Sequence, residues 1–444
     1  MYKLTLSLFD KKLSFLIVLL CLPLLFLPKI NLISIHSETA GVRIDDLILF
    51  MLGILIIWAH FLYNHKLYQI EFWLFAFTAF SFISFISNKI LVQMDLLYMP
   101  AKIFYTIRLF EYFIFFYIGA FAAQFFQTQR IVQAFFLWNL CIMILQKIGL
   151  TGGLSVEGYQ TDVSSRVQGI ASFPSEMGLL LNLIFCYLIY DTTASSLLNF
   201  VSPPFKKILK KFYLYGMFCL FGAFVIFTGN RISILALLVC FLFKLKQELN
   251  WRSMSSFVTI FMISMLLLGG VVWLMFQTAS VYDRSTALFS FKNLELVQIV
   301  WNKIDLTQDP IENEVISSDH FDVSWWLRAH KWVYVLKAYC TNPLCYLQGV
   351  GPGFAWSALD GGFLRILVEY GIIGFYFFYK FLACLYRINP QIKWMVIAFY
   401  INMIFFDAYL AYKTMSFLLF TAGYAFQRQQ QLLRGGLKTS LIQV

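Results

Sequence analysis

Asp360 is followed by Gly361 and Gly362 and then by an apolar run that carries Arg365 and Glu369. A carboxylate at the head of such a run can take the proton from an attacking hydroxyl, the work of a general base. Aspartate also caps helices, and residue types alone leave both roles open. Four arginines, Arg166, Arg231, Arg328 and Arg365, carry a planar fork of donors that is permanently charged and matches phosphate oxygens. Brought together, they suit a diphosphate group at a membrane surface. Each has an ordinary alternative: a solvated loop residue for Arg166, an interfacial snorkel for Arg231, a lipid-headgroup contact for Arg328, and an i,i+4 pair with Glu369 for Arg365. Arg231 has the stronger case, because the Gly229-Asn230 turn sets it at a helix start, where backbone donors also favour anions. Glu176, in Phe173-Pro174-Ser175-Glu176, is a second carboxylate near a span end, and Lys413 closes a polar stretch that begins at Asp407. His320 and His330 are candidate proton carriers. The chain has no HExxH, CxxC pair, P-loop or GxGxxG, so zinc, nucleotide and dinucleotide chemistry find no support and no cofactor or metal is expected. Asp45-Asp46 follows Arg43 and precedes an apolar run, which fits a structural salt bridge as well as a metal pair.

These residues need elements to hold them. Trp325 to Tyr339 has apolar or aromatic residues at Trp325, Trp332, Val335, Leu336 and Tyr339, and charge at Arg328, Lys331 and Lys337. That pattern suits an amphipathic helix lying against the bilayer surface. Asn342-Pro343 ends it, and Gly349, Gly351 and Gly353 let the backbone pass close to a ligand or another segment. Trp325, Trp326, Trp332 and Trp356 can stack on sugar rings, although tryptophan belts are common at membrane interfaces.

With 60% hydrophobic and 13% charged residues among 444, and a mean hydropathy of +0.74, the chain belongs to the polytopic all-α membrane class. Apolar runs of about 20 residues cross a bilayer. Twelve fall near 13–29, 47–63, 71–87, 103–126, 131–150, 169–190, 212–228, 231–246, 255–277, 362–383, 393–409 and 413–427. The seventh and eighth are split at Thr228-Gly229-Asn230-Arg231, because one helix over both would overshoot the bilayer. Three parts result: 1–277 with nine spans, a long loop at 278–361, and 362–444 with three spans and a tail. The positive formal charge, +11, sits between spans, where orientation in the membrane accounts for it, so nucleic acid is excluded as a partner. The excess of Lys and Arg in alternate short loops puts both termini in the cytoplasm and the long loop outside. Arg166, Arg231, Asp360 and Asp407 to Lys413 then share the outer side. Internal repeats and mid-membrane charges, which a transporter needs, are not evident. Cysteines mostly lie in apolar spans, while Cys340 and Cys345 flank a proline turn where a local disulfide is open. The first apolar run lacks a small-residue cleavage site, so no cleavable signal peptide is expected.

Four segments carry a resemblance: Arg166-Val-Gln-Gly169 with Phe173 to Glu176; Thr228 to Ser233; Arg328 and Trp332 ahead of Gly349 to Gly353; and Asp360-Gly-Gly-Phe-Leu364 closing on Glu369 to Gly374. In order and placement the chain resembles the O-antigen polymerase and ligase superfamily of bacterial membrane glycosyltransferases. The resemblance implies about twelve spans, one long periplasmic loop, and transfer between polyprenyl-diphosphate-linked glycans at the outer face of the inner membrane, without metal. It implies that Arg231 and Arg328, with Arg166, hold the donor diphosphate, and it leaves room for a chain-length regulator protein as a partner. The ligase branch has a His-Asn pair where this chain has Asp360-Gly361. That departure points to the polymerase branch, with Asp360 as the substitute base.

Overall fold

Residues 11–29, 31–34, 41–62, 68–87, 103–155, 163–190, 203–248, 292–306, 323–354 and 358–441 are described by the computed structural model. The expected span at 255–277, His320, Trp356 and the middle of the long loop lie outside them. What is described is helical apart from one antiparallel ribbon, β1 (Asn31–Ser34) paired with β2 (Gly41–Arg43). The helices are α1 (Lys11–Cys21), α2 (Pro23–Phe26), α3 (Ile44–Leu62), α4 (Gln69–Ser87), α5 (Ile103–Ala122), α6 (Thr128–Lys147), α7 (Pro174–Ile189), α8 (Pro203–Thr228) and α9 (Arg231–Glu248). Then come α10 (Lys292–Lys303), α11 (Val323–Tyr339), α12 (Pro343–Gln348), α13 (Gly362–Tyr386), α14 (Pro390–Asn402) and α15 (Tyr412–Leu441). Among the described residues four helices, α4, most of α5, α6 and α13, are long and apolar enough to cross a membrane. Two shorter apolar helices, α7 and Phe212–Thr228 within α8, accompany them.

Several boundaries differ from the apolar runs, each for a local reason. The run at 13–29 is broken after Cys21, because Pro23 has no N–H to continue the helix and opens α2 instead. Helix α7 starts at Pro174 and not at 169, since proline is suited to the first turn and residues 163–173 are held elsewhere. The run at 393–409 ends as a helix at Asn402, and the chain then turns through Asp407 to a short 3-10 turn, Ala408–Leu410. The break between α8 and α9 falls at Gly229-Asn230 as expected, with Gly229 in the left-handed region at φ +64.

The main core joins α5 to α15, α4 to α13, and α7 to α8, α9 and α14. A β-carbon on Gly119 of α5 would run into the Phe420 carbonyl, and one on Gly423 of α15 into that of Phe116, so two glycines let these backbones touch. A smaller core gathers Val300 of α10, Ala329, Val333, Tyr334 and Ala338 of α11, Cys345, Val350, Phe354 and Leu359. It covers the apolar face of α11, so the helix expected to lie on a bilayer is turned against protein there. Cys340 and Cys345 are free thiols, the first exposed and the second buried.

Helix α13 is interrupted at Gly371, whose φ of 64 and ψ of −172 are not helical. The chain after α12 fills the gap: Val350 N–H donates to the Val368 carbonyl at 2.8 Å and Gly351 N–H to that of Glu369 at 3.0 Å. Ser84 of α4 donates through Oγ to the Gln348 carbonyl at 2.6 Å. Backbone freed by the kink is thereby satisfied from protein, the condition under which a broken helix persists in a membrane.

Candidate functional site

The starts of α7, α9, α13 and α15 are drawn to one end of the bundle with the ends of α8 and α14. Asn230 donates through Nδ2 to the Ser175 carbonyl at 3.3 Å and to Ser233 Oγ at 2.7 Å. Ser233 Oγ in turn donates to Asn402 Oδ1 at 2.6 Å. Phe363 N–H, in the first turn of α13, donates to the Met403 carbonyl at 3.3 Å. Four helix N-termini at one end make it favourable to negative charge.

Two carboxylate clusters occupy this end. In the first, Asp360 has a left-handed backbone, φ 55, the one described residue other than glycine with a positive φ. Such a conformation costs a residue with a β-carbon about 1 kcal/mol or more, and needs surroundings that hold it. Asp360 does not cap α13. The cap position is Gly361, and the Asp360 carboxylate instead accepts from Arg328 Nε at 3.1 Å, with 37% of the Asp360 side chain exposed. Lys331, one turn along α11 on the same face as Arg328, donates to the Ala358 carbonyl at 2.9 Å, and Trp332 Nε1 donates to that of Leu359 at 2.8 Å. Burial pushes the Asp360 carboxyl above the usual carboxylate range, and the charge of Asp407 adds to this, while Arg328 and Lys331 pull it back down. Burial lowers the Lys331 amine, against the pull of Asp360 and Asp407.

Beneath this turn lies a closed ionic group. Arg365, 2% exposed, donates through Nε to Glu369 Oε1 at 3.0 Å and through Nη1 to Asp407 Oδ2 at 2.9 Å. Tyr409 OH donates to Glu369 Oε2 at 3.2 Å, and Tyr105 stacks on the guanidinium at 5.5 Å. The pairing of Arg365 with Glu369 is therefore the alternative that the geometry realises, with Nε and Nη1 given to two carboxylates and the side chain 2% exposed. The part played by Asp407 was missed in the sequence. Its signal was a lone carboxylate within the apolar run 393–409, where charge is expensive and marks a site.

The second cluster is built on Glu176, 1% exposed. Its Oε2 accepts from Ser172 N–H at 3.0 Å and its Oε1 from Lys413 N–H at 2.8 Å. This carboxylate pins a loop to the start of α15 by one backbone donor on each oxygen, and its burial withdraws it from acid–base work. The same loop is strapped to α6 by Gln146, whose Oε1 accepts from Gly169 N–H at 2.8 Å, and by Lys147, which donates to the Ser164 carbonyl at 2.9 Å. Arg166 packs over Gly229 and donates through Nε to the Thr228 carbonyl at 3.2 Å, next to half-buried Arg231. Lys413 is buried, donating to the Leu24 carbonyl at 2.7 Å and lying over the Tyr412 ring. His330 is also buried, stacked on Trp326 at 5.5 Å, and so is withdrawn from the surface where a proton carrier would stand.

The structure thus unites Arg328 with Asp360, Arg365 with Glu369 and Asp407, and Arg166 with the turn before Arg231. The segment 402–413 links them: Asn402 accepts from Ser233 beside the turn before Arg231, and Asp407 binds Arg365 and the amides on either side of Asp360, while Lys413 N–H goes to Glu176. Among the described residues no three His, Cys, Asp or Glu side chains gather as metal ligands would. A scan against protein-family models finds no match, and a search of curated proteins finds none either.

Proposed function

We propose that this chain is a membrane glycosyltransferase that joins polyprenyl-diphosphate-linked oligosaccharide repeat units into a longer polysaccharide. One observation carries the reading. A solvent-reachable carboxylate, Asp360, is held in a costly backbone conformation against Arg328, with the charge of Lys331 also acting on it, at the bundle end where four helix N-termini meet. Strain kept at a polar, exposed turn is what a reactive group needs and a structural cap does not.

In the proposed reaction Asp360 accepts the proton of an acceptor sugar hydroxyl. The hydroxyl oxygen bonds to the anomeric carbon of the donor as the bond from that carbon to the diphosphate breaks. The lipid diphosphate leaves with the electron pair, its charge offset by Arg328 and by Arg231 and Arg166 at the neighbouring turn. Arg328 spends only Nε on Asp360 among its described contacts, which leaves its terminal nitrogens for an anion. The setting we propose has twelve spans, both termini in the cytoplasm, loop 278–361 in the periplasm, and the site at the outer face of the bacterial inner membrane. Partners are the lipid-linked donor and acceptor, and a chain-length regulator protein.

The test is the length distribution of surface polysaccharide from a strain lacking the gene. Loss of the ladder with one repeat unit still attached to its lipid acceptor is the expected result. A bare acceptor with lipid-linked polymer trapped in the inner membrane would instead make the chain a ligase, and an unchanged ladder would sink both readings.

A further inference from the structure

Asp407 sits 5% exposed in the turn after α14, and its carboxylate reaches across to the chain ahead of α13. Oδ2 accepts from Leu359 N–H at 2.7 Å and Oδ1 from Gly361 N–H at 3.2 Å, one donor on each side of Asp360. Oδ2 also takes Arg365 Nη1 at 2.9 Å, which fixes the carboxylate itself against α13. Two amides that flank one residue and share one carboxylate define the path of the backbone between them. That path is the left-handed one that turns the Asp360 side chain toward Arg328. A local cap would not need a residue 46 positions away in the chain to make these bonds.

We propose that Asp407 is the positioning residue for Asp360: by clamping the amides of Leu359 and Gly361 it holds the base in its reactive orientation. The inference rests on the polymerase reading for its chemistry but not for its geometry. Asp407 acts a second way, through charge. The charged groups acting on Asp360 are Arg328 and Lys331 from α11 and Asp407 from the turn after α14; Arg365 and Glu369 of α13 are paired with each other, and Arg365 with Asp407. Among these Asp407 raises the Asp360 carboxyl, so removing its charge lets Asp360 ionise at lower pH.

The experiment uses the purified full chain in a bilayer disc, with a synthetic polyprenyl-diphosphate-linked repeat unit as probe. Asp407→Asn keeps the size and one acceptor. It should cut the extension rate about tenfold or more through a misplaced base and move the acid limb of the pH profile to lower pH. Asp407→Glu keeps the charge on a longer arm, and should lower the rate with the limb in place. A limb that stays put in Asp407→Asn, with rate falling only as folded protein falls, overturns the proposal, and so does a Glu variant at full rate. The carboxyl titration of Asp360, followed by carbon NMR and assigned by its loss in Asp360→Asn, needs no turnover. If the wild type fails to extend the probe, the polymerase reading falls. The titration then decides the positioning alone, a downward move in Asp407→Asn supporting it and no move overturning it.

Discussion

The Asp360 turn and the Glu176 strap stand at the same end of the bundle, and each places one carboxylate among helix starts. They use it in opposite ways. Glu176 is buried, with each oxygen accepting from a backbone amide, of Ser172 and Lys413, so a substrate does not reach it. Asp360 meets a guanidinium from its open side, and its backbone is held by Asp407 from below. A carboxylate whose acceptors go to amides builds architecture, and one whose acceptors face cations and solvent is left to react. The same contrast separates the arginines: Arg365 is closed in by Glu369 and Asp407, and Arg328 is not.

The comparison breaks most readily at Asp360. Asp360→Asn should lower extension of a lipid-linked acceptor about 10²- to 10⁴-fold, the span of a lost general base, with protein level unchanged; full activity would move the chemistry elsewhere. Arg328→Ala should follow, with a loss of about ten- to a hundredfold from one charge-assisted contact, and a retained ladder in vivo would count against a diphosphate role. Glu176→Ala reverses the pattern. It orphans two buried amides, so unfolding in detergent should ease by about 2–6 kcal/mol while the rate per folded molecule holds. A large rate loss at unchanged stability would erase the distinction drawn above. Gly229→Ala, at a left-handed residue that also packs against Arg166, should cost about 1 kcal/mol of stability and a smaller part of the rate.

A pH profile sharpens the contrast further. Burial raises the Asp360 carboxyl and the base acts ionised, so activity should fall as pH drops through a value above the ordinary carboxylate range. The limb should be absent from the residual activity of Asp360→Asn. An acid limb at the ordinary carboxylate position would mean that another group sets it.

Much of the scaffold was legible because it is local. Asn342-Pro343 and Gly229-Asn230 mark helix ends by their own chemistry, and Arg365 and Glu369 are one helical turn apart. The kink at Gly371 was not, since a lone glycine is tolerated inside helices and only the docked amides of Val350 and Gly351 make the break stable. The distant partners of Arg365 and Glu176 were not legible for a related reason. Residue type shows what a side chain can bind, while its partner, 42 residues away for Arg365 and 237 for Glu176, is set by packing. Helix α11 shows the same limit: its amphipathic stripe was visible, but whether lipid or protein covers it was not.

The broken helix α13 also bears on how the molecule is made. Gly371 lies nine residues into a helix that rises about 1.5 Å per residue, so the break sits about 14 Å from its start. In the folded chain the carbonyls of Val368 and Glu369 take their donors from the amides of Val350 and Gly351, in the segment ahead of α13. The first nine residues of α13 should therefore reach their final shape only after the segment that follows α12 has docked. Protease nicking at the joint in nascent, but not mature, chains would show it.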